Sequence, residues 1–142
     1  MSTVTTRAPI VVTHEGGAKF VAQVRSHRII VDQPERAGGE DAGPTPLELL
    51  AASLGSCMAL YVQQFCHSRA LSYEGMRVEV ESSGASNPGR IAELAVRVHV
   101  PAELSPHMAT LLARAAKSCP AHHTLELGAR MTVQIEAAAA VA

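Results

Sequence analysis

The reactive side chains of this sequence are three thiols and two adjacent histidines. Cys57 and Cys66 lie in the run GPTPLELLAASLGSCMALYVQQFC, and Cys119 opens CPAHHTLE, which carries His122 and His123. A thiol is a nucleophile only as its thiolate, so each cysteine raises the question of what would favour the anion. Cys119 precedes Pro120, which cannot continue the preceding helix but suits the first position of a new one. Cys119 is thereby placed at or near a helix N-cap, where backbone N–H groups and the macrodipole favour negative charge and lower the thiol pKa. The competing reading is a buried structural cysteine before a turn proline. Cys57, in mid-helix, gains nothing from a dipole. It is either a small hydrophobe in the core or a nucleophile in a dry pocket, activated by a group from elsewhere. Cys66 is followed by His67, Ser68 and Arg69 and reads as an incidental small residue.

Cys57 and Cys66 are nine positions apart on one predicted helix. This puts them on opposite faces and about 13 Å apart along the axis, so they cannot bridge each other within an intact helix. A metal site built from Cys57, Cys119, His122 and His123 lacks the paired ligand spacing of structural zinc, and no metal or other cofactor is expected. His14, His27, His67, His99 and His107 are scattered and read as ordinary surface or satisfied histidines. A thiol hydrolase would need a carboxylate or amide behind a histidine. The two aspartates, Asp32 and Asp41, both fall in or near the N-terminal loop, away from any histidine.

The elements that must position these thiols can be read from the same chain. With 142 residues, 47% hydrophobic and 18% charged, it reads as one folded domain over 1–142 and not as a disordered segment. Residues 1–6 and 137–142 read as frayed tails. A net charge of −1 with no cluster of lysine or arginine argues against a nucleic-acid partner. No signal peptide is expected from the opening residues. No stretch reads as the roughly 20 apolar residues of a membrane span. Three cysteines in this setting suggest reduced thiols in the cytoplasm. Aromatic residues make up only 3% of the chain, so the core must be filled by small aliphatic side chains.

PIVVTH and AKFVAQVRSHRIIVD read as strand material around an EGG turn, and QPERAGGEDAGPTP reads as an exposed loop. Thr45, Pro46 and Glu48 form a capping box with proline at the first helical position, opening a helix that runs to about Ala70. This helix is apolar nearly all round up to Val62, the pattern of a buried element. MRVEVE and LAVRVHV alternate as half-buried strands. Ser105 and Pro106 open a second helix with Met108, Leu111, Leu112 and Ala115 on one stripe, and ARMTVQIEA reads as a last strand. The order is βββ-α-ββ-α-β, an α+β architecture. Its first helix is too apolar for one small sheet to cover, so a second subunit is expected to cover the rest.

GPTPLELLAASLGSC and KSCPAHHTLE together resemble the OsmC/Ohr family of thiol-dependent hydroperoxide reductases, over about Arg25 to Glu136. The resemblance implies an intertwined homodimer, with antiparallel and mixed sheets wrapped around two long central helices. It implies that Cys57 is the peroxidatic thiolate, that Cys119 is the resolving thiol forming a Cys57–Cys119 disulfide, and that an external dithiol reduces it. The substrate would be an apolar hydroperoxide. Family peroxidases pair the thiolate with an arginine held by a glutamate. Here that glutamate's position is Leu47, one residue before Glu48, and the first hairpin offers only Lys19. Arg36, in the loop before the helix, is the candidate cation. An alternative consistent with these departures is a non-catalytic dimer of the same fold that binds an apolar small molecule at the subunit interface.

Overall fold

A computed structural model describes residues 2–138, and in it the chain divides into two compact units. The first takes in the N-terminal residues through Ser53 together with Glu79–Arg97, and the second takes in Leu54–Val78 and the residues from Val98 onward.

In the first unit, β1 (Val11–Gly16), β2 (Lys19–Val24) and β3 (His27–Val31) form an antiparallel sheet in the order β1-β2-β3. The register runs from Val11 opposite Gln23 to Gly16 opposite Lys19, with an irregularity between His14 and Gly16. On the other side of β2, Phe20 faces Val31 and Val24 faces His27. The EGG segment turns the first hairpin as expected. The long predicted strand is broken at Arg25, which adopts φ 53° in the two-residue turn to β3. Arg25 is thus a turn residue and not part of a strand. Arg28 is exposed and lies 3.5 Å from Glu15.

The loop after β3 is organised by one carboxylate. Asp32 is 1% exposed and accepts hydrogen bonds from the backbone N–H groups of Gln33 (2.8 Å), Glu40 (3.1 Å) and Ala42 (3.0 Å). The N–H bond from Ala42, followed by that from Gln33, holds its carboxyl below the usual carboxylate pKa against the opposing effect of burial. A short 3-10 turn at Glu35–Ala37 folds inside this loop. Two glycines let the chain close on it. A Cβ on Gly39 would overlap the Gln33 carbonyl oxygen, and one on Gly43 would overlap the Ile30 carbonyl oxygen. Lys19 Nζ reaches Glu40 at 3.0 Å from the hairpin side.

The loop delivers the chain into α1 (Pro46–Ser68). Its start is the predicted capping box: Glu48 N–H donates to Thr45 Oγ1 and Thr45 N–H donates to Glu48 Oε2, both at 3.3 Å. With 23 residues and Glu48 as its one acidic or basic side chain apart from His67, α1 is long and apolar enough by length and composition to cross a membrane, contrary to the sequence expectation. A core helix passes the same test. The other elements of the first unit are β4 (Arg77–Ala85) and β5 (Arg90–His99), a hairpin whose ends extend beyond that unit. Arg97 on this hairpin pairs with Glu79 and Glu81.

In the second unit the buried residues of α1 are Leu54, Gly55, Met58, Val62 and Cys66, a stripe at four-residue spacing. The remaining buried positions are Leu112 and Ala116 on α2 (Pro106–Lys117) and Cys119. Ser105 caps α2 by accepting from the Met108 N–H at 3.1 Å. After α2 comes α3 (Pro120–Leu127).

Two expectations need correcting. The helix is not buried all round within the chain: Leu60 is 52% exposed, because the buried stripe of α1 is one face only. The segment ARMTVQIEA forms no strand; residues 129–138 are exposed and outside any element, since no strand among the described residues pairs with it. Residues 2–10 likewise lie outside helices and strands. Of the tails expected at 1–6 and 137–142, residue 1 and residues 139–142 lie outside the described residues.

Replacing the Asp32 carboxylate should show how much the loop depends on it. Because its folded pKa is depressed, its contribution is fully present above the unfolded carboxylate value of about 3.9 and is lost as pH falls through the lower folded value. Asp32→Asn should melt at a lower temperature than wild type at pH 7. Melting curves taken at successively lower pH should show the two proteins converging.

Candidate active site

Cys119 occupies the predicted position. It is the N-cap of α3, with Pro120 at the first helical position, and its Sγ accepts a hydrogen bond from the His122 N–H at 3.3 Å. The sequence fixes this locally. Ser118 ends α2, its N–H closing back on the carbonyls of Arg114 and Ala115, and proline then restarts the helix without requiring an N–H bond.

The structure brings Cys57 to Cys119. The Cys57 thiol neighbours Cys119 closely enough to raise its pKa, bringing the middle of α1 to the first turn of α3 inside the second unit. All three cysteines are free thiols. Cys57 is half-buried, while Cys119 and Cys66 are fully buried. Cys57 flanks the buried stripe of α1, which explains its partial access. Cys66 is a packing residue at the far end of that stripe, and burial pushes its thiol pKa up.

The expectation that the N-cap lowers the pKa of Cys119 is overturned. Burial is the largest influence and raises it. The N–H of His122 opposes this, the neighbouring Cys57 thiol raises it further, and the N–H of Ala121 contributes a smaller lowering. The net shift is upward. A helix N-terminus stabilises a thiolate where water or a cation shares the charge; here the sulfur is sealed and its neighbour is a second sulfur.

His122 completes the second unit's polar cluster. Its Nε2 lies 3.5 Å from Glu126 Oε1, one turn along α3, and its Nδ1 is buried without a hydrogen-bond partner. His123 is exposed and meets the His122 ring edge-on at 5.9 Å between centroids. Glu126 was not singled out from sequence, although its four-residue spacing from His122 was the available signal. Arg36 lies in the first unit, exposed on the 3-10 turn. Lys19, also in the first unit, is engaged by Glu40, whose hydrogen bond and charge raise the lysine pKa.

A family model described as OsmC-like protein matches residues 38–135, well over half the chain. The chain belongs to the OsmC-like family. No curated protein matches it, but solved OsmC-like structures do. An osmotic stress induced and detoxification response protein from Psychrobacter arcticus 273-4 superposes with TM-score 0.76 at 24% identity, over 85% of this chain and 90% of that one. An OsmC-like protein from Mycoplasma pneumoniae gives TM-score 0.68 at 20% identity, over 87% and 89%. An organic hydroperoxide resistance protein OsmC from Legionella pneumophila gives 0.64 at 19%, over 85% and 91%. At these identities the superpositions establish the shared fold: mixed α+β, with two small antiparallel sheets and three helices.

In this OsmC-like chain the three thiols should be separable by access. Titration of the native reduced protein with a bulky disulfide reagent is expected to modify Cys57 first. Cys66 should react only after denaturation, in keeping with the inertness of buried structural cysteines. Peptide mapping of the modified sites checks the order.

Proposed function

We propose that this OsmC-like protein is a cysteine-based peroxidase that reduces organic hydroperoxides. The observation that carries this reading is the neighbouring pair of thiols, Cys57 from α1 and Cys119 from the cap of α3. Two thiols held in contact, one half-accessible and the other sealed, are arranged for oxidation of the first and resolution by the second.

The Cys57 thiolate attacks one oxygen of the hydroperoxide O–O bond. That bond breaks, the alkoxide leaves and is protonated to the alcohol, and Cys57 becomes a sulfenic acid. The Cys119 sulfur then attacks the Cys57 sulfur, the S–O bond breaks, and a disulfide and water form. An external dithiol restores both thiols by exchange, which suits a reducing cytoplasm. The first step uses the Cys57 thiolate, which a nearby cation would stabilise. Arg36, unpaired among the described residues, is the proposed cation, with Lys19 the alternative.

The functional unit is proposed to be a homodimer. Leu60 of α1, Phe20, Ile29 and Ile30 of the sheet, and Met131, Val133 and Ile135 of the C-terminal segment are all exposed, apolar surface that a second copy would cover. Sedimentation is expected to give twice the 14.9 kDa chain mass, and a concentration-independent monomer would overturn the assembly.

One observation favours a second reading, an apolar-ligand carrier. In the first unit Val12, Phe20, Ala22 and Val31 of the sheet and Pro46 and Leu49 of α1 line a cavity of about 450 Å³, the size of a small-molecule site.

A single experiment separates the two. Reduced protein is mixed with one equivalent of cumene hydroperoxide or of hydrogen peroxide, and thiol loss and mass are followed. Rapid loss of two thiols, faster with the organic peroxide, is expected. Cys57→Ser should abolish consumption, and Cys119→Ser should permit one oxidation and no turnover. Activity surviving in Cys57→Ser rejects the peroxidase, and slow unselective oxidation together with binding of an apolar fluorophore assigns the carrier.

A further inference from the structure

His122 has a division of labour between its two ring nitrogens that the two thiols alone do not require. Its Nε2 faces the Glu126 carboxylate at 3.5 Å, and its Nδ1 is sealed from solvent with no partner. A neutral imidazole holds one proton, and the carboxylate 3.5 Å from Nε2 favours its placement there. Nδ1 is then a bare lone pair. This assignment also costs less than the reverse, because a buried N–H without an acceptor is rarer than a buried acceptor without a donor.

The helix places His122 on the same turn as a sulfur. Cys119 is the N-cap of α3 and His122 the third helical position, the position from which the glutamate of a capping box reaches back toward its cap residue. The same His122 gives its backbone N–H to Cys119 Sγ at 3.3 Å. Cys57 neighbours Cys119, so both sulfurs and His122 lie in one cluster within the second unit.

We infer that His122, positioned by Glu126, transfers the proton in the resolving step. This inference rests on the peroxidase reading. With Cys57 as sulfenic acid, the Cys119 thiol must lose its proton to attack, and the departing hydroxyl must gain one. His122 Nδ1 takes the proton from Cys119 Sγ as the S–S bond forms. It returns that proton to the hydroxyl as the Cys57 S–O bond breaks, so that water leaves. The sulfenic sulfur is reduced, the Cys119 sulfur is oxidised, and the imidazole ends as it began. The sealed environment of Cys119, which opposes a free thiolate, is what gives a local base something to do. Glu126, 65% exposed, acts only through His122 and is a positioning residue.

The test resolves the two chemical steps in the full-length protein. After one equivalent of cumene hydroperoxide, Cys57 sulfenic acid is trapped with dimedone and disulfide is followed by mass, both against time. His122→Asn is expected to form sulfenic acid within twofold of the wild-type rate and to close the disulfide about a hundredfold more slowly, the lower end of the range for general acid–base catalysis. Glu126→Gln should slow closure severalfold and leave the melting temperature unchanged. Closure in His122→Asn within twofold of wild type would overturn the inference. Equal slowing of both steps, together with a lowered melting temperature, would also overturn it by showing a structural role. Should His122→Asn not fold, unslowed closure in Glu126→Gln would count against it in the same way. Wild-type protein that forms no sulfenic acid at all would remove the peroxidase reading itself, an outcome distinct from a wild type that cycles and a variant that cycles equally well.

Discussion

The chemistry of this chain turns on how a helix cap and a buried sulfur oppose each other at Cys119. The cap supplies N–H groups that favour the anion. Burial against a second sulfur favours the neutral thiol, and burial dominates. The result is a thiol that waits in its protonated form beside a more accessible one. For a nucleophile that must strike first this would be a defect. For one that strikes second, the role proposed for Cys119, it is suitable, because a buried sulfur is less open to an oxidant than its half-buried neighbour. The same constraint accounts for the sequence between Lys117 and Thr124. Ser118 stops α2, Cys119 caps α3, Pro120 enters without an N–H, and His122 lands on the cap. Moving any of them by one position would put the sulfur or the imidazole on another side of the helix.

A second buried anion shapes the first unit in a contrasting way. Asp32 keeps its charge although it is 1% exposed, because three backbone N–H groups converge on it. Cys119 has N–H donors too, but sulfur is a weaker acceptor and lies beside a competing thiol. One site therefore holds a permanent anion and the other a neutral acid. The Asp32 anion closes the loop that carries Arg36 on its 3-10 turn and ends in the Thr45 cap of α1. Gly39 and Gly43 contribute by omission, since any side chain at either position would collide with a carbonyl. The loop reads as an irregular glycine-rich linker in the sequence, yet every break in it serves this closure.

What the sequence disclosed and what it hid follow one physical division. Caps, hairpins and helix stripes depend on residues within about four positions, and these were legible: Thr45 with Glu48, Ser105 with Pro106, Cys119 with Pro120, and the Leu111–Leu112 stripe of α2. The α+β class and the family likewise followed from local motifs. Interactions across the chain were not legible. Asp32 looked like one of two loop aspartates, and nothing local indicates that Glu40 and Ala42 return to it. The rise in the Cys119 pKa could not be read, because it depends on burial by residues distant in sequence. The contact of Cys57 with Cys119 was available only through family resemblance. Glu126 is the exception, a local partner of His122 at a spacing that could have been counted.

The misread strand 129–137 locates where a single chain stops being a sufficient description. Its alternation of Met131, Val133 and Ile135 with Thr132, Gln134 and Glu136 has the two-residue period of a half-buried strand, yet all of these residues are exposed. A strand needs a neighbour for its N–H and C=O groups, and the described residues provide none. Val11 and Val12 on β1 are exposed as well, at 54% and 60%. A sequence with almost no aromatic volume has few ways to bury so much aliphatic surface except by sharing it. The strand-like alternation of the C-terminal segment, without a pairing neighbour among the described residues, supports the proposal that the folded unit is a pair.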